Sequence, residues 1–219
     1  MSINMEPGQS VIFEKSDSDF SKVVFGLGWD IREEKNQFIP SFFGKKESFN
    51  FDLDAFALLL DDRGKVQVVP DDLIYYGNLK SGNGHIEHKG DNLTGQGEGD
   101  DEQIEINLSA LSERHHQIIV GVNIHKGVER KQDFSRVENA FVRVCDAGDK
   151  EVCRFNLTTH RYKGHTTMFL GNLYKRQNRW KLLALGEPKL GNLQDLLIGF
   201  SSPELLKNKR VIDQMNWEK

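Results

Sequence analysis

The stretch F-N-F-D-L-D-A-F-A-L-L-L, residues 49–60, has the pattern of a β-strand that enters a buried core. Aromatic and aliphatic residues alternate with polar ones at its start and become continuous from Ala55, as in a strand that runs into an apolar interior. Asp52 and Asp54 are two residues apart, so their side chains project from one face, about 7 Å apart. No lysine or arginine is near them in sequence, and two neighbouring carboxylates need a cationic partner. A solvent-exposed pair at the start of a strand is the alternative.

Similar short stretches occur along most of the chain, with glycine and asparagine between them. We predict strands over residues 11–15, 22–29, 51–60, 73–76, 103–107, 117–124, 140–146, 151–157, 166–174 and 179–187. Hairpins are expected around residues 82–88, 146–150 and 176–178, a helical turn over 109–114 and a short helix over 192–198. Many short strands with such turns favour two packed sheets over a parallel α/β core. The predicted fold is therefore all-β, a two-sheet β-sandwich with a few short helices.

Residues 201–219 differ from the rest of the chain. Pro203 suits the first turn of a helix, and apolar residues recur after it at loosely helical spacing with lysine and arginine between them. We expect one sandwich domain over residues 1–200 and a helical extension or tail over 201–219. The tail is predicted to pack back on the sandwich as an amphipathic helix; a helix that binds a partner or a membrane surface, and a disordered tail, are the alternatives.

Residues 90–104, G-D-N-L-T-G-Q-G-E-G-D-D-E-Q-I, place five carboxylates among glycines without a single lysine or arginine. The chain has a formal net charge of -4, so the remainder would carry about +1 without these five acids. Like charges this close repel one another unless a cation or water screens them. Carboxylate and carbonyl oxygens are the ligands that calcium prefers, but the spacing does not fit an EF-hand, because Leu93 and Gly95 occupy positions that need side-chain oxygens. A solvated acidic surface loop is the alternative.

Five sequence blocks together carry a resemblance to a known family. They are G-L-G-W-D (26–30), D-L-D-A (52–55), N-L-K-S (78–81), G-D-N-x-T-G-x-G-x-G-D-D-E (90–102) and N-A-F-V-R-V (139–144). In this order they resemble the TerD family of tellurium-resistance and bacterial stress proteins, over about residues 11–200. The resemblance implies a calcium-binding β-sandwich that acts in stress response and tellurite resistance, without an established enzymatic activity. The stretch 31–50 resembles the TerZ branch more than TerD itself, so both a TerD-like and a TerZ-like subfamily stay open.

The resemblance also implies a set of metal ligands around one or two calcium ions. The candidate side-chain ligands are Asp30, Asp52, Asp54, Asp91, Asn92, Asp100, Asp101 and Glu102, with Asn78 as a further candidate and Gly97 and Gly99 as carbonyl donors. Two positions depart from the usual family pattern: Glu98 replaces an aspartate, and Lys126 replaces an acidic residue after His125. The implied partners are calcium and proteins of a stress-response complex, with the inner membrane surface as one possible location.

Composition narrows the remaining classes of function. The pI near 6 and scattered basic residues give no electrostatic support for nucleic-acid binding. No signal peptide or transmembrane stretch is visible, so we expect a cytoplasmic protein. Cys145 and Cys153 are expected to be free thiols on either side of a hairpin. The seven histidines match no zinc spacing. A metal-dependent hydrolase with the same acids and His125 or His88 as acid or base is the alternative function.

Overall fold

Two stacked six-stranded sheets form the body of the protein. This is a computed structural model, and it describes residues 2–13, 19–31, 51–90, 99–157, 161–177 and 179–219. Sheet A has the spatial order β1 (Ile3–Asn4), β10 (Glu151–Asn156), β9 (Val137–Cys145), β3 (Val23–Ile31), β7 (Glu102–Ile106), β6 (Ile86–His88). Sheet B has the order β2 (Ser10–Ile12), β12 (Arg179–Lys189), β11 (Thr167–Arg176), β8 (Gln117–Ile124), β4 (Leu53–Leu60), β5 (Leu73–Ile74). The neighbouring strands pair antiparallel except β1 and β10. The predicted all-β sandwich is confirmed.

Strand β4 is buried on both faces, which explains its continuous apolar sequence. Leu53 and Ala55 belong to the core between the two sheets. Phe56 and Leu58 belong to a second core on the outer face of sheet B. Because side chains alternate along a strand, a sheet that is covered on both sides needs apolar residues at every position.

Helices after β12 cover the outer face of sheet B and close the second core. They are α2 (Leu193–Phe200), α3 (Pro203–Lys207) and α4 (Arg210–Asp213). Side chains cap two of them, because Asn192 Oδ1 accepts from Asp195 N and Ser202 Oγ accepts from Leu205 N. Such caps satisfy backbone donors that have no partner within the helix. Among the described residues, no helix has the length and apolar character needed to cross a membrane.

The segment 201–219 packs on the sandwich, but it contains two short helices where one amphipathic helix was predicted. Leu205 and Ile212 are buried in the second core, and a bridge between Val66 and Ser201 joins the start of the segment to the sandwich. The chain leaves helical geometry at Asn208, between the two helices. This interruption explains why the apolar residues of the segment are only loosely spaced. Each short helix turns its own apolar side chains toward the second core.

The local elements largely follow the sequence pattern, with some differences. The hairpins at 146–150 and 176–178 are present as β9–β10 and β11–β12. The predicted helical turn over 109–114 is wrong: Ala110 N donates to Asn107 O and His115 N to Ser112 O, which makes two separate turns. The sequence pattern also did not predict α1 (Gly127–Arg130) or the edge strand β1. Both are short, so neither carries a periodic signal.

Candidate metal site

Asp52 and Asp54 lie at the start of β4 with His125 beside them. Because Leu53 and Ala55 face the core between the sheets, strand alternation turns both aspartates to the opposite face. His125 follows β8, which pairs with β4, and its backbone N donates to Asp52 O at 2.8 Å. All three side chains are buried. Each offers one ligand atom, and these atoms lie within 4.8 Å of one another.

The Asp54 carboxylate is the most strongly desolvated member of this cluster, with an exposure of 1%. Among the described residues, neither of its oxygens accepts a hydrogen bond of ordinary geometry, while His125 Nδ1 lies 3.6 Å from Oδ2. Burial raises the pKa of Asp54, although His125 and Lys219 act in the opposite direction. A carboxylate in this environment is stabilised by a nearby cation.

The cation next to this pair is the ammonium group of Lys219. Its Nζ lies 3.0 Å from both carboxylate oxygens of Asp52 and forms an ion pair with Asp54 Oδ1. The ring of Tyr76 lies 5.0 Å from the same Nζ and packs edge-on against His125. No local sequence pattern points to Lys219, because 167 positions separate it from Asp52. The sequence pattern suggests His125 only as a possible acid or base.

Asp100 has a different partner and lies against the other sheet. Arg143 Nε and Nη2 donate to its two oxygens at 2.7 and 2.9 Å, and Gln103 Nε2 donates at 2.8 Å. The carboxylate lies directly over Gly26 on β3. This bidentate pair, which the sequence analysis did not predict, occupies both Asp100 oxygens.

Asp101 and Asp30 lie near each other on sheet A. Asp101 Oδ2 accepts from Trp29 N at 2.8 Å, and Asp101 N donates to Leu27 O at 2.7 Å. Burial raises the pKa of Asp101, and the charges of Asp30 and Asp100 raise it further. Asp30 is exposed and accepts from Asn139 Nδ2 at 2.7 Å. These two acids form a second, less buried acidic position.

Glu102 connects the two sheets near the start of β4. Its Oε2 accepts from Ala55 N at 2.5 Å and lies 3.4 Å from His88 Nε2. Because Asp54 and Ala55 are adjacent, this contact brings β7 next to the backbone of the Asp52–Asp54 pair. Glu102 is buried, but it does not belong to the cluster of Asp52, Asp54 and His125.

The remaining predicted ligands divide into those with other contacts and those outside the described residues. Asn78 Nδ2 donates to Pro70 O and Leu73 O, both at 2.9 Å, and so closes the loop after β5. Gly99 has a φ of +106°, and its carbonyl oxygen approaches β3 at Gly28. Asp91, Asn92 and Gly97, together with Glu98 and most of the stretch 31–50, lie outside the described residues.

Comparison with known proteins gives a consistent family assignment. The TerD domain profile matches residues 1–200. The chain is 39% identical to tellurium resistance protein TerX of Serratia marcescens over 200 residues, covering 86% of this chain and 93% of that protein. It is 38% identical to general stress protein 16U of Bacillus subtilis (strain 168) over 194 residues, covering 88% of this chain and 94% of that protein.

A solved structure has the same fold. A homologue of the telluride resistance protein TerD from Streptomyces coelicolor A3(2) superposes with a TM-score of 0.61 at 20% identity, over 83% of this chain and 98% of that one. The names of these relatives denote stress response and tellurium resistance, and none of them denotes a catalytic activity. The chain belongs to the TerD domain family of tellurium-resistance and stress-response proteins.

Proposed function

We propose that this protein is a calcium-dependent binding module of the stress response, in which Asp52 and Asp54 supply carboxylate ligands to the cation. The observation that carries the proposal is the buried cluster of Asp52, Asp54 and His125, whose ligand atoms lie within 4.8 Å of one another. Tellurium resistance and stress response, which the names of the relatives denote, are the processes in which we expect this module to act.

The chemistry of the donors fits a hard divalent cation. Calcium takes six to eight oxygen ligands, and Asp52 and Asp54 offer carboxylate oxygens from one strand face. Burial raises the pKa of Asp54, so a cation that binds the charged form offsets that desolvation. Asp91 and Asn92, which the sequence analysis predicts as ligands, remain candidates for the rest of the shell. The Asp30 and Asp101 carboxylates would suit a second ion, because burial and, after it, the charges of Asp30 and Asp100 raise the pKa of Asp101, and a cation would offset both effects.

The His125 imidazole gives the hydrolase alternative specific support. A nitrogen donor beside two carboxylates also suits transition metals, and a bound metal of that kind can activate water. His125 Nδ1 is 3.6 Å from Asp54 Oδ2, which equally fits a role in orienting that carboxylate. Since the names of the relatives denote no catalytic activity, binding is the function we propose.

Calorimetric titration and thermal melts of demetallated protein test the proposal. At a free calcium concentration of about 100 times Kd, binding adds about 2.7 kcal/mol to the free energy of unfolding. For a protein of this size that raises Tm by roughly 5–11 °C. The Asp52→Asn/Asp54→Asn variant should lose the binding heat and the shift, whereas Asp62→Asn, which changes an exposed aspartate, should retain both. Demetallated wild-type protein with no binding heat and no shift would overturn the proposal.

Complementation in cells tests the link to stress resistance. In a bacterial strain that lacks its own relative of this protein and is sensitive to tellurite, the wild-type chain and Asp62→Asn should restore growth on tellurite. Asp52→Asn/Asp54→Asn should not restore growth at an equal protein level. Equal growth with the double variant would show that resistance does not depend on the metal site.

A further inference from the structure

The segment 215–219 crosses the face of the candidate metal site and puts a charged group into it. Lys219 Nζ lies 3.0 Å from both Asp52 oxygens and pairs with Asp54 Oδ1. With its cation–π contact to the Tyr76 ring at 5.0 Å, the ammonium group faces two anions and an aromatic ring. The side chain of Lys219 thus occupies the position between the two carboxylates.

The backbone of this segment is held in register by a tyrosine pair. Tyr75 Oη donates to Asn216 O at 2.8 Å, and Tyr76 Oη donates to Trp217 O at 2.6 Å. The Trp217 ring lies 5.3 Å from the Tyr75 ring, and its Nε1 donates to Ile212 O at 2.9 Å. The hydroxyl groups of two successive tyrosines thus hold two successive backbone carbonyls, just before Lys219.

A second ion pair and a close contact at Gly77 also hold the segment 215–219 in place. Glu218 forms an ion pair with Lys126. The acidic Glu218 thus contacts a cation, and the adjacent basic Lys219 contacts two anions. A methyl group at Gly77 would lie 2.7 Å from the Tyr75 ring and closer still to Asn216 O. Because glycine has no side chain, position 77 leaves space for the backbone of the segment 215–219.

Beside the segment lies an open cavity of about 160 Å³, whose lining includes Tyr76, His125, Lys126, Trp217 and Glu218. The Asp52 and Asp54 carboxylates themselves are buried, with Lys219 against their oxygens. The cavity reaches the rim of the site at His125. A hydrated cation from the same side meets the carboxylate oxygens where Lys219 already contacts them.

We propose that the segment 215–219 is a built-in competitor of the cation, whose Lys219 ammonium must leave Asp52 and Asp54 before a divalent ion binds them. This inference rests on the proposed calcium function. An ammonium group and a divalent ion that use the same carboxylate oxygens exclude each other. Binding of the ion then releases the segment, and removal of the segment tightens ion binding by the same factor, because the coupling is reciprocal.

Calcium titration of demetallated protein tests the competition. Lys219→Met should bind calcium about 5- to 150-fold more tightly than wild type, the usual range for coupling between two sites. Tyr75→Phe/Tyr76→Phe keeps every charge but removes the two hydrogen bonds that hold the segment 215–219. This variant should therefore also bind calcium more tightly. Lys207→Met, an exposed lysine on α3, removes the same charge elsewhere and should leave the affinity unchanged. Thermal melts with saturating calcium establish that each variant is folded.

Hydrogen exchange of residues 215–219 gives an independent readout of release. In wild-type protein calcium should speed exchange in this segment, and in Asp52→Asn/Asp54→Asn it should not. Wild-type affinity in both Lys219→Met and the tyrosine variant, with exchange in 215–219 unchanged by calcium, would overturn the competition while leaving calcium binding intact. Absence of calcium binding in wild type and in Lys219→Met alike would instead overturn the proposed function.

Discussion

Gly26 on β3 lies directly beneath the Asp100 carboxylate, and we expect Gly26→Ala to be strongly destabilising. A methyl carbon at Gly26 would lie 2.6 Å from Asp100 Oδ1 and closer still to Oδ2, well inside the 3.4 Å at which ordinary contact begins. The carboxylate cannot move without loss, because Arg143 holds both oxygens at 2.7 and 2.9 Å. The substitution therefore both crowds the interior and breaks part of the ion pair.

The size of the effect follows from these contacts. Overpacking a closed interior costs about 1–3 kcal/mol, and a lost hydrogen bond to a charged group costs about 1.5–3 kcal/mol. Alanine recovers up to about 1 kcal/mol because it loses less backbone entropy than glycine. The free energy of unfolding should fall by roughly 2–5 kcal/mol, which for this size lowers Tm by about 4–20 °C.

Urea denaturation of a double-mutant cycle measures this effect and assigns its cause. Gly26→Ala should cost much less in an Asp100→Ala background than in wild type, because the clashing carboxylate is gone. Gly199→Ala is the matched control: Gly199 lies in α2 with nothing within 4 Å of the added methyl group, so it should gain about 0.5–1 kcal/mol. A Gly26→Ala variant within about 0.5 kcal/mol of wild type, or equal costs in both backgrounds, would contradict a clash with Asp100.

Three further predictions concern other buried groups. Burial acts to raise the pKa of Asp72, but hydrogen bonds from His115 and Arg114 outweigh it and lower the pKa. Asp72→Asn should therefore lower the free energy of unfolding by about 1–3 kcal/mol at neutral pH. The difference in free energy of unfolding between wild type and variant should narrow below about pH 4, where the stabilisation by the Asp72 carboxylate is lost. A difference in free energy of unfolding between wild type and Asp72→Asn that stays constant in urea titrations down to about pH 3 would contradict this role of Asp72. Phe56→Ala should cost about 3–5 kcal/mol in urea denaturation, because the Phe56 ring is fully buried in the second core; a loss below about 1 kcal/mol would mean that the site collapses or is open. Burial raises the pKa of Cys153 to about 12, so a thiol reagent should label it only after unfolding, and rapid labelling of the native protein would count against this burial.

Much of the fold follows from local patterns. The apolar run of β4 and the turn residues around 146–150 and 176–178 predicted a strand and two hairpins, because side-chain alternation and turn chemistry act over a few neighbours. The same short range explains the failure at residues 109–114, where turns and a helix share residue preferences. It also explains why the short strand β1, which owes its pairing to Cys153 and Arg154 on β10, gave no signal.

That Asp52 and Asp54 share one face of a strand leading into the core follows from the sequence alone, since a strand has a period of two. Which cations these acids contact depends instead on long-range packing. Asp100 pairs with Arg143 across sheet A, whereas Asp52 and Asp54 meet Lys219 on the outer face of sheet B. Contacts between residues this far apart in the chain depend on how the sheets and the 201–219 segment pack, and no local preference specifies that packing.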